Sequence, residues 1–334
     1  MNKTRALLPG LSLCLVGAAA SFLLDALIEK TTGISVLLLV AIILGSVVGN
    51  VWDVPDRMRP GVVVTSKTVL KVGVALLGLA VPAATVFALG WPVLLAAVLT
   101  VVLGFTATVA LAPVFGLRRQ QALLIGAGCS VCGAAAIGAV DGVLTKKREH
   151  EFVTAIAVIA LLGTILLTVA PALGHLAGWG PHREGVFIGL SVHEVSQVVA
   201  AGGIAGTAVL PIAVTVKLGR VLLLAPMITV LSALERRRVA GETEGAEVRL
   251  PPLVPAFVAV FIVLVLARTF LPLPGGLIDG IGTLQHWIFA AAMFAQGTGV
   301  TVATVRAAGA RPFLFGLAVT VVVVAVALLA SFVV

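Results

Sequence analysis

GAGCSVCG at residues 126–133 and SVHEVSQ at residues 191–197 each interrupt an otherwise apolar run. Clustered glycines weaken a helix, and an ionisable pair such as His193-Glu194 is costly inside a bilayer. Hydrocarbon tolerates broken backbone only where protein or a water-filled cavity surrounds it. The apolar stretches that carry these motifs, 122–140 and 185–201, are therefore expected to be re-entrant hairpins or unwound helices.

The rest of the chain supplies the bilayer that this reading needs. Of 334 residues, 60% are hydrophobic and 11% charged, with a mean hydropathy of +1.20. Soluble domains carry about 25% charged residues, so this chain cannot cover a water-facing globule. Eleven apolar stretches can be drawn: 7–27, 36–50, 61–81, 92–113, 122–140, 152–177, 185–201, 211–234, 253–271, 285–305 and 312–334. The expected fold is an all-α polytopic membrane protein of about 9–11 spans, a single transmembrane domain. The run at 7–27 is too long for a signal peptide and reads as a first span. Residues 235–252, rich in Arg and Glu, read as a hydrophilic cytoplasmic loop.

Net charge is +8. Most Lys and Arg fall in short loops, which points to the positive-inside rule and away from nucleic acid. If all eleven stretches cross, thirteen of these charges lie inside and five outside, with Lys146-Lys147-Arg148 stranded outside. If the two odd stretches re-enter, the tally becomes fifteen to three, with only Lys30, Arg183 and Arg268 outside. The re-entrant arrangement fits better and places the N-terminus in the cytoplasm. Cys14, Cys129 and Cys132 all lie in apolar stretches and imply no disulfide framework.

A repeat is visible at an offset of 219. Residues 78–90, GLAVPAATVFALG, match residues 297–309, GTGVTVATVRAAG, at seven of thirteen positions. A fainter echo relates Ile125-Gly126 to Ile188-Gly189. Repeat one is expected over 36–180 and repeat two over 185–334, inverted, with the broken segments meeting near the membrane midplane.

Apart from Arg268 near the end of its stretch, four cations stand within apolar stretches: Lys67 and Lys71, then Lys217 and Arg220. Each pair shares a helix face and reads as an electropositive anion site, with snorkelling to the interface as the alternative. Residues 126–136 could bind an oxyanion through backbone N–H groups and the Ser130 hydroxyl, with Gly126, Gly128 and Gly133 as the break. Close helix packing by small residues explains the same glycines. His193 and Glu194 are candidates for proton coupling. A structural knot with Ser196 and Gln197 is the competing reading. HEVSQ at 193–197 lacks the second His of a zinc-protease helix, GVVVTSKT at 61–68 has Ser66 where a P-loop needs Gly, and Cys129-x-x-Cys132 has no partner base. No metal site and no cofactor is expected.

These motifs together resemble the YeiH-like sulfate exporter family of bacterial inner-membrane proteins, over nearly the whole length. The carriers are Ser66-Lys67, Leu76-Leu77-Gly78, LLIGAGCSVCGAAAI at 123–137, SVHEVSQVVAAG at 191–202 and VKLGRVLLLAP at 216–226. The resemblance implies a secondary transporter related to the cation/proton antiporter and anion transporter superfamily, exporting sulfate or a related small anion. It also implies an inner-membrane location, and the architecture often forms homodimers. Substrate-binding residues would be Lys67, Lys71, Gly126, Gly128, Ser130, Gly133, His193, Gln197, Lys217 and Arg220. Cys129 stands where the family usually has Ser or Thr, and Gly219 where Thr is common. A cation/proton antiporter using Glu194 is the alternative. An enzyme or scaffold ranks last, since no nucleophile–base pair or metal triad is present.

Overall fold

The structure, a computed structural model, describes residues 3–33, 35–80, 83–145, 148–242 and 256–334. Among them every regular element is a helix. In chain order these are α1 (Lys3–Thr32), α2 (Leu37–Val51), α3 (Arg59–Val64), a π-helical turn (Thr65–Val69), α4 (Leu70–Ala80), α5 (Ala83–Phe87), α6 (Trp91–Leu111) and α7 (Arg119–Ala127). A second π-helical turn (Gly128–Cys132) leads to α8 (Ala134–Asp141), α9 (Glu149–Leu176), α10 (Pro181–Ser191), α11 (Val195–Ala205), α12 (Leu210–Leu222) and α13 (Leu224–Glu242). The chain closes with α14 (Ala256–Phe270), α15 (Gly275–Gly297), α16 (Val302–Ala308) and α17 (Ala310–Val333).

Among the described residues six stretches are long and apolar enough to cross a bilayer: Ala6–Thr31, Arg59–Ala80, Trp91–Leu111, His150–Leu176, Leu210–Ala240 and Ala310–Val333. Their outer faces carry exposed Leu, Val and Ile side chains such as Leu23, Val102 and Val321. The protein is an all-α polytopic membrane protein. Residues 235–242 continue α13 as helix rather than opening a loop, because Glu235 is fully buried, accepting from Arg119 and Thr145 of two other segments and from Arg238 of its own helix. Residues 243–252 of the expected loop, Lys146 and Lys147 of the charge count, and residues 81 and 82 of the repeat lie outside the described residues.

Both odd segments are hairpins. At the first, Glu235 of α13 holds the two ends together: it accepts from Arg119, at the start of α7, at 2.8 Å. It also accepts from the Thr145 N–H, just past α8, at 3.1 Å. Arg118 pairs with Glu151 at the start of α9 at 2.6 Å, and deeper in, Gly128 lies against Ile159. So α7 runs alongside α9, turns, and α8 returns to the same level. At the second, Gly185 lies against Val209 and Ile212, and Gly189 against Ala213 and Val216. So α10 runs alongside α12, and α11 returns to where α12 begins.

The two hairpins open at opposite ends. The mouth of the first is at Glu235 and the mouth of the second at Val209, near the two ends of the Leu210–Ala240 span. From Leu210 to Glu235 is about 37 Å of helix at 1.5 Å per residue, enough for the roughly 30 Å hydrocarbon core. Along α9 the order is the same, with Glu151 at the first mouth and Gly174, packed on Glu184 of α10, at the second.

The offset of 219 extends from sequence into packing. α2 and α14 start at 37 and 256, α5 and α16 at 83 and 302, and α6 and α17 at 91 and 310. Gly90 and Gly309, which precede the last pair, both have positive φ, 85° and 70°. α2 lies along α15 and α14 along α4, through matched close approaches. A Cβ on Gly297 would run into the Ile42 carbonyl oxygen, and one on Gly78 into that of Phe261. Both glycines and both carbonyls are 219 residues apart. Small residues allow such backbone contact between membrane helices.

Candidate functional site

The hairpin tips meet in the interior. Gly133 ends the second π-turn with φ 70° and ψ −133°, a conformation open chiefly to glycine. The space a Cβ would need is filled by the Glu194 side chain. This bend points the N-terminus of α8 at the second hairpin, and the Ala134 N–H donates to Glu194 Oε1 at 2.8 Å. Glu194 is also the N-cap of α11. With Gln197 it forms a reciprocal capping box, in which Gln197 Oε1 accepts the Glu194 N–H at 3.2 Å. One carboxylate thus sits between two helix N-termini, where unpaired N–H groups and helix dipoles favour negative charge.

A cavity of about 370 Å³ opens on this junction. Ala134 and Ala135 of α8, Glu194, Val195 and Ser196 of the second tip, and Cys132 line its floor. Gln285 and His286 of α15 and Ser35 line its wall. The Ser196 hydroxyl has no protein partner. The volume and mixed polarity fit a small-solute site. Among the described residues no cluster suits a metal ion.

The buried cations serve the other ends of the same half-helices. Lys217 and Arg220 are fully buried, and neither lines this cavity. Lys217 Nζ donates to the Val192 carbonyl at 2.7 Å. Arg220 Nη1 donates to the Leu190 carbonyl at 2.5 Å, with longer bonds to Gly189 and Val192, and Nη2 reaches the Cys129 carbonyl at 3.0 Å. Those carbonyls end α10 and begin the π-turn before α8, so nothing within a helix satisfies them. The cations tie the two tips together and balance their carbonyl ends.

The remaining expected residues scatter. Lys67 stands 5.2 Å from the Phe152 ring centroid and lines a different cavity. Lys71 stands 5.9 Å from that of Phe257. Gly126 packs on Thr108 and Gly128 on Ile159, so both serve close packing. Ser130 is buried, its hydroxyl without a partner. His193 turns away from Glu194, and its Nε2 meets Thr320 Oγ1 at 2.9 Å. His193 therefore packs against α17 while Glu194 faces α8. Ser35, Gln285 and His286 were not singled out in sequence, and Ser196 stood there only as a member of a structural knot. Gln285 and His286 had a signal, being the residues 219 after Ser66 and Lys67.

This arrangement can be set beside known proteins. The family model for conserved hypothetical protein 698 matches residues 9–316. The chain belongs to that family. Within it, the chain is 37% identical to a UPF0324 membrane protein of Corynebacterium glutamicum over 320 residues, 96% of this chain and 90% of the relative. It is 34% identical to the UPF0324 membrane protein TauZ of Paracoccus pantotrophus, over 86% of this chain and 84% of the relative. It is 35% identical to the UPF0324 inner membrane protein YeiH of Salmonella typhi, over 84% and 81%. The YeiH-like resemblance is thereby borne out, and the conserved hypothetical protein 698 family is one of multi-pass membrane proteins. No solved structure matches the chain.

Proposed function

We propose that this protein is a secondary-active transporter, not an enzyme, that exports sulfate or a related small anion such as sulfite or a sulfonate across the inner membrane by alternating access. One observation carries the reading: two half-helix N-termini converge on one cavity, and a carboxylate, Glu194, already occupies the anion seat between them. Backbone N–H groups at such ends bind oxyanions without any cationic side chain. In this mechanism a proton on Glu194 releases the Ala134 N–H to a bound anion. Loss of the proton restores the bond and displaces the anion, which couples the two movements.

The test is flux of radiolabelled sulfate and sulfite into proteoliposomes containing the wild type or Glu194→Gln. Anion flux that responds to a proton gradient is expected in the wild type, and Glu194→Gln abolishes that response. Sodium-dependent proton movement without any anion requirement would replace this reading with a second one, a cation/proton antiporter. That second reading is favoured by Glu194 being, among the described residues, the one acidic residue lining the cavity.

A further inference from the structure

A second cavity, of about 420 Å³, lies apart from the hairpin tips. It is lined by Val63, Ser66 and Lys67 around the first π-turn, by Gln296 and Gly299 near the end of α15, and by Val153 near the start of α9. Adding 219 to the first three positions gives Gly282, Gln285 and His286, and subtracting it from the next two gives Leu77 and Ala80. All five line the first cavity. The matched glycine approaches, Gly78 on Phe261 and Gly297 on Ile42, show that this offset is a three-dimensional relation and not only a sequence echo.

The spans meet the two cavities in opposite order. Along Arg59–Ala80 the second cavity takes residues 62–67 and the first takes Leu70, Leu77 and Ala80. Along α15 the first takes residues from Gly282 to Met293 and the second takes Ala295 and Gln296. On α9 the second cavity uses Phe152, Val153 and Ile156, close to the mouth of the first hairpin. On α12 the first cavity uses Val214 and Leu218, which lie level with the second tip, in the half of the Leu210–Ala240 span that starts at the mouth of the second hairpin. The two cavities therefore lie toward opposite membrane faces.

Their chemistry is related as well. Lys67 holds the place of His286, and Ser66 that of Gln285. Gln296 is almost fully buried, and its amide oxygen has no partner in the protein. A π-helical turn at Thr65–Val69 sets Lys67 on the cavity wall, and such turns mark functional sites more often than plain helix does. Arg59 lies at the rim, paired with Asp53 at 3.4 Å.

We propose that this second cavity is the vestibule through which a small oxyanion is captured at the face where the first hairpin opens, with Lys67 as the side chain that contacts it. The inference rests on the transport reading for its cargo, but its geometry stands alone. The cytoplasmic face of an exporter must offer such a capture point, since the first cavity opens the other way.

Ser66→Cys and Gln285→Cys, each in sealed vesicles of both orientations, are exposed to a membrane-impermeant charged maleimide. Val63→Cys and His286→Cys repeat the measurement from neighbouring positions if either first variant folds poorly. The native cysteines Cys14, Cys129 and Cys132, 1%, 0% and 3% exposed, set the background. The expected result is labelling of the two cysteines from opposite faces. Millimolar sulfate or sulfite slows labelling at Ser66→Cys severalfold, and adding Lys67→Gln removes that protection. Labelling of both cysteines from one face overturns the two-vestibule arrangement whatever the flux shows. Opposite labelling without protection, or protection that survives Lys67→Gln, overturns the role of Lys67. Opposite labelling with protection but no flux in proteoliposomes contradicts the transport reading and leaves this one standing.

Discussion

The two re-entrant hairpins solve one problem by different chemistry. The first, α7 to α8, turns through a π-helical turn and Gly133, with no charged side chain between Arg119 and Asp141. The second, α10 to α11, turns through Val192, His193 and Glu194 and leaves its carbonyls to Lys217 and Arg220. One tip is held by shape and the other by charge. The tips join because each supplies what the other lacks: the Ala134 N–H of the first meets the Glu194 carboxylate of the second, and the Cys129 carbonyl of the first meets the Arg220 guanidinium beneath the second. A break in a buried helix is tolerable when its freed backbone groups find partners, and here the Ala134 N–H finds its partner on the opposite hairpin while the carbonyls of Leu190, Val192 and Cys129 find theirs on α12.

Four substitutions probe that division, the most damaging first. Arg220→Ala strands the carbonyls of Leu190 and Cys129 and is expected to cost about 3–5 kcal/mol. Little folded protein should elute as a monodisperse species in detergent, and Arg220→Lys should recover part of it. A normally stable Arg220→Ala would show that charge does not hold the second tip. Gly133→Ala attacks the first tip through shape. The positive φ costs about 1–3 kcal/mol, and the new methyl displaces Glu194, so thermal melting should fall by several degrees and flux should be lost.

Glu194→Gln keeps the bulk and an acceptor for Ala134. A charge-assisted bond becomes a neutral one at a cost of about 1 kcal/mol, so a small drop in melting temperature is expected beside a large change in proton-coupled flux. An equal collapse of both would make Glu194 a structural cap only. Ser130→Ala is the mildest. Its hydroxyl is buried without a partner, and removing such a group is neutral or slightly stabilising. A melting temperature within about 2 °C of wild type is expected, and a large loss of flux would place Ser130 on the solute path in another state.

Much of this architecture was legible in residues 126–133 and 191–197, because glycine clusters and a His-Glu pair have few uses inside hydrocarbon. The re-entrant arrangement was legible in the charge count, since loop lysines and arginines report sidedness directly. What the side chains do was harder to read. Lys217 and Arg220 are cations in an apolar span, and a cation that binds an anion carries the same residue pattern as one that caps carbonyls. Only the positions of Leu190, Val192 and Cys129 separate the two. Gly126 and Gly128 pack while Gly133 bends, a distinction made by φ and by neighbours from α6 and α9. His193 and Glu194 are adjacent in sequence yet meet different partners, Thr320 of α17 and Ala134 of α8. The second cavity needed the offset of 219 carried from 78–90 to Ser66 and Lys67, where sequence identity had faded but packing had not.

The central claim is that the converged N-termini of α8 and α11 bind an anion. Crystals grown with selenate, a sulfate analogue visible by anomalous scattering, test it most directly. The account predicts an anomalous peak in the first cavity within hydrogen-bond reach of the Ala134 and Ala135 N–H groups and the Ser196 hydroxyl, with the Glu194 side chain displaced from Ala134. A cation coordinated by Glu194 with no selenate peak in that cavity would contradict it.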